Sequence, residues 1–292
     1  MTIAYTGYGA ARWSVLTPPQ TTARLRLLIP LVLNPANWPH VTAQSPQPLL
    51  QVRGLTTCFG GLSANECVSL GVARHQVAAV IGPNGSGKTT LLNAITGQRP
   101  PDDGEVYFDG KALKGASVAE VARLGLMRTF QHTGVFDGLT CLQNVCVSVN
   151  RSQEKLRSLW AVGGHSTRSR ALECLGFVGL AERAQELAGE LSYGQRKLLE
   201  LAMALMSQPK MLLLDEPTAG VSPAMVPEVI SRLRRVNQEL GISILFIEHN
   251  MQVVAELAHE VHCLVRGRLI ASGDPDQVRA DPRVREAYLG NA

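Results

Sequence analysis

The sequence predicts an α/β protein built around a parallel sheet, and three observations carry that expectation. Met211–Leu214 and Ile242–Ile247 are apolar at every position but Ser243, which suits strands buried on both faces. The helical pattern between them places Val226, Val229, Ile230, Leu233, Val236 and Leu240 on one face. A third apolar run, Val77–Ile81, is followed directly by a glycine-rich loop and an apolar helix pattern over Thr90–Ile95.

The chain has 292 residues, 45% of them hydrophobic, enough for a sizeable core. Net charge is only +4, so no nucleic-acid-scale basic field is implied. Six scattered cysteines without a C-x-x-C pair read as reduced thiols, small buried hydrophobes rather than a disulfide framework or a zinc site. The best candidate for a membrane span, Leu25–Leu33, is interrupted by Arg26 and Pro30, far short of about 20 apolar residues. Any membrane role is therefore expected from the surface.

Residues 1–47 are rich in Thr, Pro and Gln, include the pair Pro18-Pro19, and read as an irregular extension. They lack the basic start and apolar core of a secretory signal. From Leu49 the pattern becomes regular. Leu49–Val52, Thr56–Phe59 and Cys67–Val72 read as short strands separated by glycine-containing turns, with Phe59 as an exposed aromatic before Gly60-Gly61. Asp102–Gly104 turns the chain into Glu105–Asp109, which Asp109-Gly110 closes. Ser117 caps a helix over Val118–Leu124 that Gly125 ends, and Met127–Phe130 is a strand with Gln131 at its tip.

Residues 132–200 read as a helical insertion. Thr140 caps a helix through Val149, Arg168–Leu175 is a second, and polar Arg151–Ser169 is expected to be a mobile connector. A third helix covers Arg196–Met206. Further on, Ser222 and Pro223 form an N-cap and first-turn pair, Gly241 ends the amphipathic helix, and Glu248-His249 stands at the tip of the last apolar strand. Val261–Val265 and Leu269–Ala271 read as a hairpin, and Asp281-Pro282 opens a last helix to Leu289.

The chemistry centres on Gly82, Pro83, Asn84, Gly85, Ser86, Gly87, Lys88 and Thr89, with Thr90 opening the helix. Three glycines let successive N–H groups turn inward around an anion, and the helix N-terminus adds about half a positive charge. In this pattern Lys88 reaches β- and γ-phosphates and Thr89 ligates Mg²⁺. Asp215-Glu216, at a strand end, can hold Mg²⁺ through water and polarise an attacking water. Leu191-Ser-Tyr-Gly-Gln195 stands before a helix, where Ser192 and Gly194 form a second anion-directed helix end. By itself that stretch is also an ordinary serine cap.

Together these stretches resemble the nucleotide-binding subunit of an ATP-binding-cassette (ABC) transporter, from about Leu49 to the C-terminus. The resemblance implies a RecA-like P-loop NTPase core over 48–131 and 201–292, an antiparallel β part in front and a helical subdomain over 132–200. Gly82–Thr89 matches Walker A, and Met211–Glu216 matches Walker B. Asp215 is then the Mg²⁺-side acid and Glu216 the catalytic base. Leu191–Gln195 matches the signature sequence, so Ser192, Gly194 and Gln195 join the nucleotide site. Gln131 matches the glutamine that touches Mg²⁺ and the attacking water, His249 the switch histidine at the γ-phosphate, and Phe59 the aromatic that stacks on adenine.

The resemblance also implies ATP and Mg²⁺ as cofactors and a second ATPase subunit, identical or paralogous, in a head-to-tail dimer. It implies two transmembrane permease subunits, an indirect link to a solute-binding protein, no nucleic acid, and a peripheral place on the cytoplasmic face of the cell membrane. Phe59–Leu62, Arg128–His132, Leu191–Gln195, Ala219-Gly220 with Pro223, Ile247–His249 and Tyr288–Gly290 further resemble ATPases of branched-chain amino acid importers. Urea-importer ATPases carry similar signatures. A soluble mechanical ABC protein would need a long coiled coil or a second cassette, and a silent regulator would lack the polar groups present here. Departures from the pattern are Tyr193 for glycine, Ser222 for Asp or Asn, Asn250 for Asp, and Arg74-His75-Gln76 before the Walker A strand.

Overall fold

The computed structural model describes residues 47–129, 134–148 and 165–289. In chain order the elements begin with β1 (Leu50–Phe59), β2 (Leu62–Val72), β3 (Val77–Ile81), α1 (Lys88–Ile95), β4 (Asp103–Phe108), β5 (Lys111–Ala112), α2 (Val118–Arg123) and β6 (Leu126–Arg128). Then come α3 (Cys141–Val147), α4 (His165–Val178), α5 (Tyr193–Leu205), β7 (Met211–Asp215), α6 (Val226–Leu240) and β8 (Ser243–Ile247). The chain closes with α7 (Met251–Leu257), β9 (Glu260–Val265), β10 (Arg268–Gly273), α8 (Pro275–Ala280) and α9 (Pro282–Leu289).

Every side chain of β3, β7 and β8 is buried. Strands apolar on both faces must lie inside a sheet covered on both faces, and these are the centre of a sheet ordered β10-β9-β3-β8-β7-β6. Its neighbours from β9 through β6 run parallel, and only β10 is antiparallel. The period-2 alternation of a strand then divides the core in two. Ala79, Leu212, Leu214, Ile244 and Phe246 face one cluster, which includes Leu199, Val229, Leu233 and Val236 from α5 and α6. Ala78, Val80, Leu213, Leu245 and Ile247 face the other, with Leu91, Leu92 and Ile95 of α1 and Leu50, Val52, Val68 and Leu70 of the second sheet. That second sheet is antiparallel, ordered β2-β1-β4-β5.

The structure revises several local expectations. Leu49–Val52 and Thr56–Phe59 form one strand, because the Gly54 turn is absorbed as a bulge. Gly54 has φ +56°, the register slips between Val52 and Leu55, and both halves pair with β2 and β4. Ser222-Pro223 does not cap α6. The helix starts at Val226 with Pro227 in its first turn, and Pro227 has no N–H to return to the Pro223 carbonyl that an earlier start would require. Ser222 instead accepts from Met225 N in a preceding turn.

Helix α5 begins at Tyr193, three residues earlier than the sequence pattern, because Ser192 caps it. Helix α4 extends to His165–Val178, so the last residues assigned to the Arg151–Ser169 connector are helical; the rest of that connector, Phe130–Thr133 with Gln131, and residues 1–46 lie outside the described residues. All six cysteines are free, as expected, but only Cys141, Cys174 and Cys263 are buried, whereas Cys67 is exposed. The caps at Ser117, Thr140 and Gly241 occur where the sequence places them, and Asn250 caps α7. Among the described residues, no helix is long and apolar enough to cross a membrane.

Phe246 is fully buried in the central strand β8. Phe246→Ala is expected to cost about 3–5 kcal/mol and to lower the melting temperature by roughly 10 °C. A drop under about 2 °C in a thermal scan would contradict the packed layer described here.

Candidate active site

In a parallel sheet all C-terminal strand ends open on one edge, and ligands bind beside it. Here the loops following β3, β7 and β8 carry Gly82–Thr89, Asp215-Glu216 and Glu248-His249. The glycine loop is held from outside. Gly82 has φ +147°, and a Cβ there would lie 2.0 Å from the Leu264 carbonyl oxygen. Gly87 has φ +100°, and a Cβ would lie 2.2 Å from the Ala64 oxygen. Only glycine allows both the backbone angle and the approach. Asn65 Nδ2 donates to Gly87 O at 3.2 Å, fastening the loop to the antiparallel sheet.

The loop fits an anion. Helices α2, α3 and α5 each begin with a capping box made by Ser117, Thr140 and Ser192. Helix α1 begins at Gly87 with no side-chain cap, so its first-turn N–H groups are left for another acceptor. Among the described residues Ser86 Oγ is buried without a hydrogen-bond partner. Lys88 Nζ donates back to Gly82 O at 2.8 Å and Pro83 O at 2.9 Å. Burial pulls its ammonium below the ordinary lysine range, while the Glu216 and Asp215 carboxylates pull the other way. Asn84, Gly85 and Thr89 are exposed, and Thr90 is half-buried.

Asp215 is 3% exposed and forms a 2.8 Å ion pair through Oδ2 with Arg128. Glu216 takes φ +51°, a left-handed conformation unusual outside glycine, held by its N–H donating to Ile247 O at 3.0 Å. His249 is well exposed, its Nδ1 3.9 Å from Glu216 Oε1. Phe59 is 47% exposed, and the Arg99 guanidinium lies 4.0 Å from its ring centroid. The signature residues belong to a different face, since α5 packs against α3, α4 and α6. Ser192 Oγ accepts from Gln195 N, and Gln195 Oε1 accepts from Ser192 N, so the two satisfy each other. Gly194 is buried against Val221 and Met225.

Sequence reasoning placed Glu248 at a strand tip without a task. It is fully buried, and its carboxylate accepts from Thr218 N, the Thr218 hydroxyl, His249 N and Asn250 N. An acidic residue directly after a strand apolar but for Ser243 was the available signal. Tyr288 is another such residue: it lies beside the Gly82 backbone, and burial raises its phenol to about 12. A cleft of about 560 Å³ on this flank lies between Pro83–Ser86 and Arg283, Glu286 and Ala287 of α9.

Comparison with known proteins agrees with this architecture. Residues 66–219 match the ABC transporter family, and residues 268–292 match the branched-chain amino acid ATP-binding cassette transporter family. The chain is 37% identical over 253 residues to the high-affinity branched-chain amino acid transport ATP-binding protein BraF of Pseudomonas aeruginosa, covering 84% of this chain and 99% of that one. It is 36% identical over 256 residues to the corresponding protein LivG of Escherichia coli, with the same coverage. A solved ATP-binding cassette of an ABC transporter in its ADP conformation superposes with a TM-score of 0.76 at 34% identity, covering 83% of this chain and 99% of that one. A dimeric bacterial ABC transporter cassette superposes with a TM-score of 0.66 at 25% identity, covering 77% and 98%. The chain therefore belongs to the ABC transporter family, as an ATP-binding, ATP-hydrolysing cassette with the RecA-like fold.

Replacing Glu248 by Ala removes the acceptor of four hydrogen bonds that tie the β7 and β8 loops together. Buried groups stripped of partners cost about 1–3 kcal/mol each. Glu248→Ala is expected to lower the melting temperature by several degrees and to reduce ATP turnover at least tenfold. Turnover within twofold of the parent would mean that the loops hold without it.

Proposed function

We propose that this cassette powers an importer of branched-chain amino acids, with the site roles implied by the family pattern. The observation that carries the reading is the convergence of an uncapped helix N-terminus, a buried acid and a strained glutamate on one sheet edge. The C-terminal match and the names of the relatives support the substrate class. Lys88 and the loop N–H groups bind the β- and γ-phosphates, and Phe59 stacks on the adenine. Thr89, Asp215 and Gln131 would hold Mg²⁺, which supplies charge neutralisation at the phosphate oxygens. Glu216 accepts a proton from the attacking water as the terminal P–O bond breaks, giving ADP and phosphate. His249 holds the γ-phosphate.

Completion of the site requires a second cassette, whose Ser192, Gly194 and Gln195 close over the nucleotide. The helices of 132–200 then pass the motion to two permease subunits, served by a solute-binding protein, at the cytoplasmic face of the membrane. An importer of urea or short-chain amides is the second reading, because its ATPases carry similar signatures.

Glu216→Gln is expected to lower ATP turnover roughly 10²–10⁴-fold while retaining nucleotide binding, the scale of a lost general base. In cells carrying Lys88→Ala in place of the native chain, uptake of labelled leucine, isoleucine and valine should be lost with urea uptake intact. Loss of urea uptake alone would favour the second reading, and no change in either would sink both.

A further inference from the structure

Arg128 is buried at the active edge, and the reaction scheme leaves it without a task. It ends β6, the strand beside β7, and its side chain is 8% exposed. The guanidinium divides its two ends between different elements. Nη2 donates to Asp215 Oδ2 at 2.8 Å. Nη1 donates to Asn93 Oδ1 at 2.5 Å and to Gln98 Oε1 at 3.0 Å. Asn93 lies on α1, the helix whose first residues are Lys88 and Thr89. Thr129 N, the next backbone group, donates to Leu213 O at 3.0 Å, so the end of β6 is itself fixed on β7.

A bare structural ion pair does not account for this arrangement well. Among the described residues Arg128 Nε is buried without a partner, a desolvation cost that a pair serving stability alone would avoid. Replacing a buried pair by apolar residues is often neutral or stabilising, so burial of charge by itself argues weakly for a stabilising role. The fork geometry does explain it. One end of a rigid planar group restrains one oxygen of Asp215, the other end is referenced to the phosphate-loop helix, and the remaining carboxylate oxygen is left for a second partner. Losing a partner that orients a metal-ligating carboxylate from behind typically costs about 10–100-fold in metal affinity or activity.

We propose that Arg128 is a positioning residue for the magnesium-side acid. It fixes the Asp215 carboxylate relative to α1, so that the acid and Thr89 present a preset pair of oxygens to a divalent cation. This rests on Asp215 being the magnesium-side acid.

The test measures binding of a fluorescent non-hydrolysable ATP analogue against Mg²⁺ concentration, with ATP turnover and a thermal scan alongside. Arg128→Lys keeps the charge and loses the fork, and Arg128→Met loses both. Both are expected to raise the Mg²⁺ concentration for half-maximal binding about tenfold or more, the usual effect of losing such a partner, with metal-free analogue binding unchanged. A folded Arg128→Lys with the parent's Mg²⁺ requirement overturns the proposal. So does an Arg128→Met that needs less Mg²⁺, since the arginine would then be only a competing cation. Asn93→Ala leaves the ion pair in place and removes its anchor on α1, with only the Gln98 contact left on that side. Should the Arg128 variants not fold, a rise of about threefold in Asn93→Ala supports the proposal, and no rise overturns it. If Asp215→Asn keeps the parent's Mg²⁺ requirement, the assignment of Asp215 itself fails, and the proposal with it.

Discussion

The whole arrangement depends on β3, β7 and β8 being buried on both faces. Strands with no exposed face can carry polar chemistry only where they end. Because β6, β7, β8, β3 and β9 run parallel, their C-terminal ends share one edge. The glycine loop, the Asp215-Glu216 pair and the Glu248-His249 pair are therefore neighbours by topology, although about 130 residues separate the first from the second. The same constraint explains the tight glycines, since the loop after β3 must pass against the Leu264 carbonyl of the adjacent strand β9.

Holding these strand ends in register takes buried polar groups, and each of them spans two elements. The Glu248 carboxylate collects donors from the loops after β7 and β8, and an ionised carboxylate has acceptor capacity for all four. Glu216 sits between those loops in a conformation that costs on the order of 1–3 kcal/mol. Its N–H donating to Ile247 O, and its carbonyl accepting from Ala219 N, keep it there. Arg128 does on the β6–β7–α1 side what Glu248 does on the β7–β8 side. The acids at the sheet edge are thus held by polar groups buried beside them.

Much of this was legible in the sequence because it is local. Gly82–Thr89, Gly241 and the apolar runs announce themselves by spacing and residue type, and the glycine loop, the helix end and the buried strands form where the pattern puts them. What sequence reasoning missed depends on contacts between distant segments. Gly54 reads as a turn until β2 and β4 are both seen to pair across it. Ser222-Pro223 reads as a helix start until Pro227 is found in the first turn of α6. Arg128, Glu248 and Tyr288 are ordinary residues at strand or chain ends, and only the fold brings them to Asp215, Thr218 and Gly82. The likeness to a known family pointed to the motifs containing these residues, but it gave them no physical role.

The N-terminal ends of α1 and α5 differ in a way that bears on how a nucleotide would meet them. Helix α1 is uncapped, so an anion at the loop finds free N–H groups. Helix α5 is already closed by the Ser192–Gln195 box. The Ser192 hydroxyl accepts one hydrogen bond there and keeps its own proton, so an exposed serine can still donate to a phosphate on another molecule without breaking its cap. The Tyr193 ring lies against Gly220, where a Cβ would come within 3.0 Å of Cε1, and Gly220 follows Glu216 in the β7 loop. The start of α5 is thereby packed onto the segment that carries the proposed base. That packing sets a ring at the start of the signature helix against the β7 loop of the same chain, through a contact that glycine at position 193 could not make.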